Sequence, residues 1–246
     1  MLGKPIHMTI SPETVAERAI IAGDPARVEQ VKELLEDPKL VNTKRAFVTY
    51  TGTYRGVPVT IAAHGVGFPS SAIVFEELSM VGAKLIVRFG TCGAMIPGMR
   101  IGDVVIPTGA AYYPGGAYYQ YFHEWTCCPA VPDFNVVKAI VEEYEKSGIK
   151  YFTGPVISSD AFYAEDPEFA KKWSSRGIVA VEMECAGLFT LGLMRKIKTG
   201  AVLLVSDSLV EHLGYASAEE LREYVMKAAK ALLESVTKVK LIASSR

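Results

Sequence analysis

Apolar runs of strand length alternate with helix-length stretches along nearly the whole 246-residue chain. This alternation constrains the fold more than any single motif. Strand followed by helix followed by strand predicts a largely parallel sheet with helices packed on both faces. "RAIIAGD" (18–24) reads as a strand and "PARVEQVKELLED" (25–37) as a helix with Pro25 in its first turn. "AFVTYTGTYRGVPVTIAAHG" (46–65) reads as a hairpin turning near Arg55 and Gly56. Helices are predicted over 69–82, 133–148, 166–177, 185–196 and 217–240, and strands over 83–93, 103–113, 151–160, 178–184 and 199–207. Asp133 is placed to cap its helix and Gly148 to stop it. The aromatic segment 112–133 has no clear period and reads as a long binding or interface loop. No linker or repeat divides the chain, so the expectation is one domain, 1–246, around a central sheet.

Half the residues are hydrophobic and the mean hydropathy is +0.21, which suits a sheet covered on both faces. A formal net charge of −1 argues against a nucleic-acid or acidic-membrane surface as partner. "MLGKPIHMTISPET" lacks the apolar core of a signal peptide, and no charge-free run reaches transmembrane length. A cytoplasmic soluble protein is expected. Cys92, Cys127, Cys128 and Cys185 form no C-x-x-C pair and the histidines are scattered, so no metal site is expected and free thiols are the default. A disulfide through Cys127 or Cys128 would suit only a hyperthermophile.

Ligands of open α/β sheets bind beyond the carboxyl ends of the strands. Those ends are polar here: Gly23-Asp24, His64-Gly65, Arg88, Ser158-Ser159-Asp160, Glu182 with Glu184, and Ser206-Asp207. In "GDPARV", Gly23 precedes a helix start whose N–H groups can hold an anion, and Arg27 lies one turn in. In "IVRFGTCG", Arg88 interrupts a buried strand and calls for an anionic partner, with Thr91 as a hydroxyl donor beside it. Neither a dinucleotide fingerprint nor a P-loop is present, so the anion that fits is phosphate or a small phosphate group.

"VAVEMECAG" (179–187) sets Glu182 and Glu184 one residue apart in an apolar run. On a strand the two share a face; if the strand ends near Met183, that residue can face a ligand too. A carboxylate accepts two hydrogen bonds at once and suits a vicinal diol such as that of ribose. In "VLLVSDS", desolvation at the strand end disfavours the charged form of Asp207 and makes it a candidate general acid.

Together "GDPARV", "HGVGFPSSAIVFEEL", "RFGTCGA", "SSDAFY", "VEMECAG" and "VSDS" resemble, in order and spacing, the hexameric purine nucleoside and uridine phosphorylases. "SSDAFYAED" and "KKWSSRG" are most similar to archaeal 5′-methylthioadenosine phosphorylases. The resemblance implies a three-layer α/β/α domain with a twisted mixed sheet. It implies phosphorolysis of purine nucleosides, methylthioadenosine among them, to free base and a ribose 1-phosphate. Phosphate is then a co-substrate, and no cofactor is implied. Gly23, Arg27, Arg88 and Thr91 would bind phosphate, with Arg45 reaching in from a neighbouring subunit of a homo-hexamer. Glu184 would bind the ribose hydroxyls, with Met183 and Glu182 beside the sugar and the neighbour's His7 at its 5′ end. Phe162 would stack near the base, and Ser206 and Asp207 would face it, Asp207 protonating N7. The arginine that assists the acid in bacterial purine members has only an offset counterpart, Arg222. The glutamine–arginine pair of the uridine branch has no evident place. A hydrolytic nucleosidase, a non-catalytic nucleoside-binding protein, and uridine as substrate are the alternatives.

Overall fold

The computed structural model describes residues 4–164, 166–211, 214–217 and 219–241. The ends of the expected 1–246 domain lie outside the described residues. Nine strands among them form one mixed sheet: β1 (Arg18–Ala22), β2 (Glu36–Asn42), β3 (Thr49–Tyr54), β4 (Val57–Ala63), β5 (Leu85–Ala94), β6 (Val104–Tyr112), β7 (Tyr151–Ser158), β8 (Ala180–Glu182) and β9 (Lys198–Ser208). The order is β2-β3-β4-β1-β5-β8-β7-β6-β9, and β9 also pairs with β5. The last five strands therefore close into a ring, which leaves no free edge at that end of the sheet.

Alternation along each strand feeds two cores. Ile21 and Ile86 face one side, where α2 (Phe68–Met80) packs on α6 (Cys185–Arg195). Ile20 and Val87 face the other, covered by α1 (Pro25–Lys32), α4 (Phe134–Lys146) and α7 (Arg222–Lys238). Helices on both faces of a central sheet give the expected three layers, and a short helix, α5 (Phe169–Ser174), lies between β7 and β8 along the chain. Asp133 caps α4 as its position predicts, accepting from the N–H groups of Asn135 at 2.9 Å and Val136 at 3.2 Å. The hairpin of β3 and β4 turns at Arg55 and Gly56, both with positive φ.

Four local expectations need correction. The sheet is less parallel than the alternation implies, because β2–β3, β3–β4, β5–β8 and β6–β9 are antiparallel. The first helix stops at Lys32, and residues 36–42 form an edge strand whose side chains are mostly exposed. Residues 116–122 of the aromatic segment form a helix, α3 (Gly116–Phe122), which seats Tyr118 in the core. The strand expected over 178–184 is only the three residues of β8.

Candidate active site

Parallel strands β4 and β1 end side by side, level with Arg88 in the middle of β5. They deliver His64, Gly23 and the Arg88–Gly90 stretch to one edge. Arg88 is 5 % exposed, and its guanidinium lies over Gly90, where an added Cβ would meet Nη1 at 2.4 Å. Glycine at position 90 is thus a steric requirement of the Arg88 side chain.

The anion that a buried Arg88 demands comes from the chain itself. Nε is 3.1 Å from Glu182 Oε2, and Nη2 is 2.5 Å from Glu184 Oε2. Burial works against the charged guanidinium, but Glu184 and Glu182 outweigh it and hold its pKa above the ordinary value. The two glutamates differ in role. Glu182 accepts from the Ser158 hydroxyl, from Glu184 N–H at 2.8 Å and from Cys185 N–H at 2.9 Å, so it fastens the start of α6 and one side of Arg88. Both Glu182 oxygens accept from protein donors, and its side chain is fully buried.

Glu184 leaves the strand and occupies the N-cap position of α6. Its Oε1 accepts from Gly67 N–H, at the start of α2, at 2.7 Å. One carboxylate thus joins the N-termini of two helices, where negative charge is stabilised. Burial raises its pKa, Arg88 opposes that rise, and Glu182 adds to it. Met183, between the two glutamates, is half-buried.

Alternation along β5 puts Thr91 on the face of Phe89, opposite Arg88. Arg27 reaches that face, with Nη1 donating to Phe89 O at 3.4 Å and its guanidinium 5.9 Å from the Phe89 ring centre. Burial, then the charge of Arg88, lowers the pKa of Arg27. Gly23 lies against the loop after β4, where a Cβ would come within 3.1 Å of Gly65 O. The expected oxyanion groups therefore flank the middle of β5 on both faces.

Ser206 and Asp207 lie at a bulge: Cys92 pairs with Val205 and Gly93 with Asp207, leaving Ser206 as the extra residue. Ser206 Oγ donates to Asp207 Oδ1 at 2.8 Å. Burial raises the pKa of Asp207, against the Ser206 hydrogen bond. Arg222 gives it no help, because its guanidinium is 3.2 Å from Glu33. Phe162 is 57 % exposed and stacks edge-on with Tyr163.

Two expected residues stand apart from this cluster. Arg45 is exposed on a short turn, Lys44–Ala46, with φ of 57°, and no hydrogen bond or ion pair joins it to Arg88 or Glu184 among the described residues. His7 Nδ1 is 2.7 Å from Glu77 Oε1. The same carboxylate accepts from the N–H groups of Ile6, His7 and Met8 at 3.0, 2.8 and 2.8 Å. Burial pushes the Glu77 pKa up, but these N–H groups and the His7 side chain outweigh it and hold the pKa below the ordinary value.

Sequence reasoning misses Glu77 and Gly67 as supports, and marks Ser158 only as a polar strand end. Glu77 sits inside the "HGVGFPSSAIVFEEL" stretch, and a buried glutamate on an apolar helix face is the one signal that could have pointed to it.

Residues 17–239 match the family described as the phosphorylase superfamily. The chain belongs to that superfamily. It is similar to the guanosine phosphorylase of Halorubrum lacusprofundi, at 36% identity over 96% of this chain and 99% of the relative. It is 38% identical to the uridine phosphorylase of Treponema pallidum over 81% of this chain and 80% of that one. It is 36% identical to a DeoD-type purine nucleoside phosphorylase of Caldanaerobacter subterraneus subsp. tengcongensis over 93% and 98%. The crystal structure of uridine phosphorylase from Vibrio fischeri ES114 superposes with a TM-score of 0.87 at 28% identity, covering 97% of this chain and 99% of that chain. The superfamily membership fixes the enzyme class as a pentosyltransferase of the nucleoside phosphorylase type. No helix among the described residues is long and apolar enough to cross a membrane.

Proposed function

We propose that this phosphorylase cleaves purine nucleosides, 5′-methylthioadenosine among them, with inorganic phosphate as the nucleophile. The observation that carries the reading is the difference in partners between two buried carboxyl groups. Glu184 is ion-paired to Arg88 and accepts from Gly67 N–H. Asp207 has only the Ser206 hydroxyl beside it and no ion pair among the described residues, and burial raises its pKa. A carboxyl paired with a guanidinium is suited to hold the sugar, and one without a counter-charge is suited to carry a proton.

Breaking the glycosidic bond leaves positive charge on the ribose and negative charge on the base. Phosphate held beside the end of β1 and the middle of β5 by Gly23, Arg27, Arg88 and Thr91 attacks C1′, and its placement supplies much of the acceleration. Its charge also stabilises the oxocarbenium-like sugar. The Glu184 oxygens keep lone pairs beyond those given to Gly67 and Arg88, and these accept from the ribose hydroxyls. Asp207, protonated, gives its proton to N7 as the purine leaves, with Phe162 and Ser206 beside the base.

Arg45 and His7 do not join their own chain's cluster, which supports their serving a neighbouring subunit's site in a homo-hexamer. Uridine is the second reading, favoured by the 38% identity to a uridine phosphorylase. A comparison of kcat/KM for methylthioadenosine, adenosine, inosine, guanosine and uridine at saturating phosphate decides between them. The proposal expects the purine nucleosides to lead; a clear preference for uridine would overturn it.

A further inference from the structure

His64 follows the last residue of β4 and is held by its main chain. Its N–H donates to Ala22 O at 2.8 Å, and its carbonyl accepts from Ser70 Oγ at 2.5 Å. The residue is 0 % exposed, yet neither Nδ1 nor Nε2 of the ring has a hydrogen-bond partner among the described residues. Buried polar atoms are nearly always bonded, so an imidazole with both nitrogens unmatched calls for an explanation. A histidine packed only to fill space would usually find a carbonyl or hydroxyl.

The direction of the ring narrows what the missing partner is. Cε1, the carbon between the two nitrogens, lies 3.7 Å from the position a Cβ would take on Gly23. The ring therefore faces the turn that opens α1, and Arg27, one turn into that helix, also has a buried Nε without a partner among the described residues. We propose that His64 is a further ligand of the oxyanion held between Gly23, Arg27 and Arg88, donating one ring N–H to a phosphate oxygen. The inference rests on the phosphorolysis reading above.

The electrostatics agree with this geometry. Burial, then Arg88 and Arg27, outweigh the opposing pull of the Gly65 and His64 backbone, which lies near the ring but outside hydrogen-bond geometry, and hold the His64 pKa well below its ordinary value, so the ring is neutral and carries one N–H donor. A neutral donor between two guanidinium groups adds a hydrogen bond to the anion without a third positive charge to desolvate.

The test is a calorimetric titration of inorganic phosphate into the wild-type protein, His64→Leu and His64→Gln, with the ring 15N resonances followed in the wild type. A hydrogen bond to a charged group predicts that His64→Leu weakens phosphate binding roughly tenfold or more. His64→Gln, which keeps an N–H donor, should recover much of it. KM for the nucleoside at saturating phosphate should stay near the wild-type value. In the wild type, phosphate should move one His64 ring nitrogen, identified by its loss in His64→Gln. If His64→Leu does not fold, the wild-type ring titration decides alone. Wild-type phosphate binding with unmoved His64 resonances, or undiminished binding by a folded His64→Leu, overturns the assignment of His64 and leaves phosphorolysis standing. Failure of the wild-type protein to bind phosphate overturns both.

Discussion

Glu182 and Glu184 bracket the Arg88 guanidinium, one at Nε and the other at Nη2, although only Glu184 has left the strand. Their remaining partners separate them. Removing Glu182 leaves the Ser158 hydroxyl and the N–H groups of Glu184 and Cys185 without an acceptor, and leaves the buried Arg88 Nε unmatched, with Glu184 as the remaining carboxylate. Glu182→Ala should therefore lower unfolding free energy by about 3–5 kcal/mol. Glu184→Ala leaves Arg88 paired to Glu182 and should lose less stability in the same urea titration. Its larger effect should be on kcat/KM for ribonucleosides, roughly 1.5–3 kcal/mol for each ribose hydroxyl. A 2′,3′-dideoxynucleoside should be nearly indifferent; equal losses on both substrates would make Glu184 structural.

Asp207→Asn should lower kcat on purine nucleosides by roughly 10²–10⁴-fold and spare a nitrophenyl riboside, whose leaving group needs no proton. The raised pKa fixes the sign of two pH effects. The active form is protonated, so kcat should fall as pH rises through the Asp207 pKa. A carboxyl that binds its proton more tightly when folded favours the native state at low pH, and that contribution is lost as pH rises through the folded value. Asp207→Asn should thus gain stability relative to wild type as pH rises, with no pH-dependent difference below the ordinary aspartate range. A stability difference with the opposite slope would contradict the burial of Asp207.

The layers, the hairpin, the Asp133 cap and the polar strand ends were legible in the sequence because each rests on a local pattern. Other features were not. β2 is an edge strand reading "EDPKLVN", and its exposed side chains give no apolar alternation. α3 reads "GAYYQYF", where Gly115 just before it and Gly116 at its start, both with positive φ, mask the helical period of the aromatic residues that follow. Arg88 was readable as a buried charge needing an anion, but not that Glu182 and Glu184, 94 and 96 residues on, supply it. The division of labour between those glutamates depends on where β8 stops, and a strand boundary is the least local of these features. His64 stood out only as a polar strand end; its complete burial is a tertiary fact.

Glu77 ties down the backbone of Ile6, His7 and Met8 with one carboxylate. Glu77→Ala should speed amide hydrogen exchange at these three residues selectively, read by NMR, while amides of the central strand β5 keep their protection. Unchanged exchange at Ile6, His7 and Met8 would show that another contact holds the segment.

The shared-site proposal for Arg45 can be tested by subunit mixing. Arg45→Ala and Arg88→Ala, each weakly active alone, are dissociated, combined and reassociated. In a mixed dimer one site regains both arginines and the other loses both. Random pairing should restore roughly a quarter of wild-type sites. Exchange of subunits seen by mass spectrometry without recovery of activity would place the whole site in one chain.

Phosphate dependence tests the account most directly. A purine nucleoside is incubated with enzyme in phosphate-free buffer and again with saturating phosphate, following free base by absorbance and ribose 1-phosphate by 31P NMR. The account predicts base release only with phosphate, with one ribose 1-phosphate formed for each base. Base release at an undiminished rate without phosphate, with free ribose as the product, would contradict it.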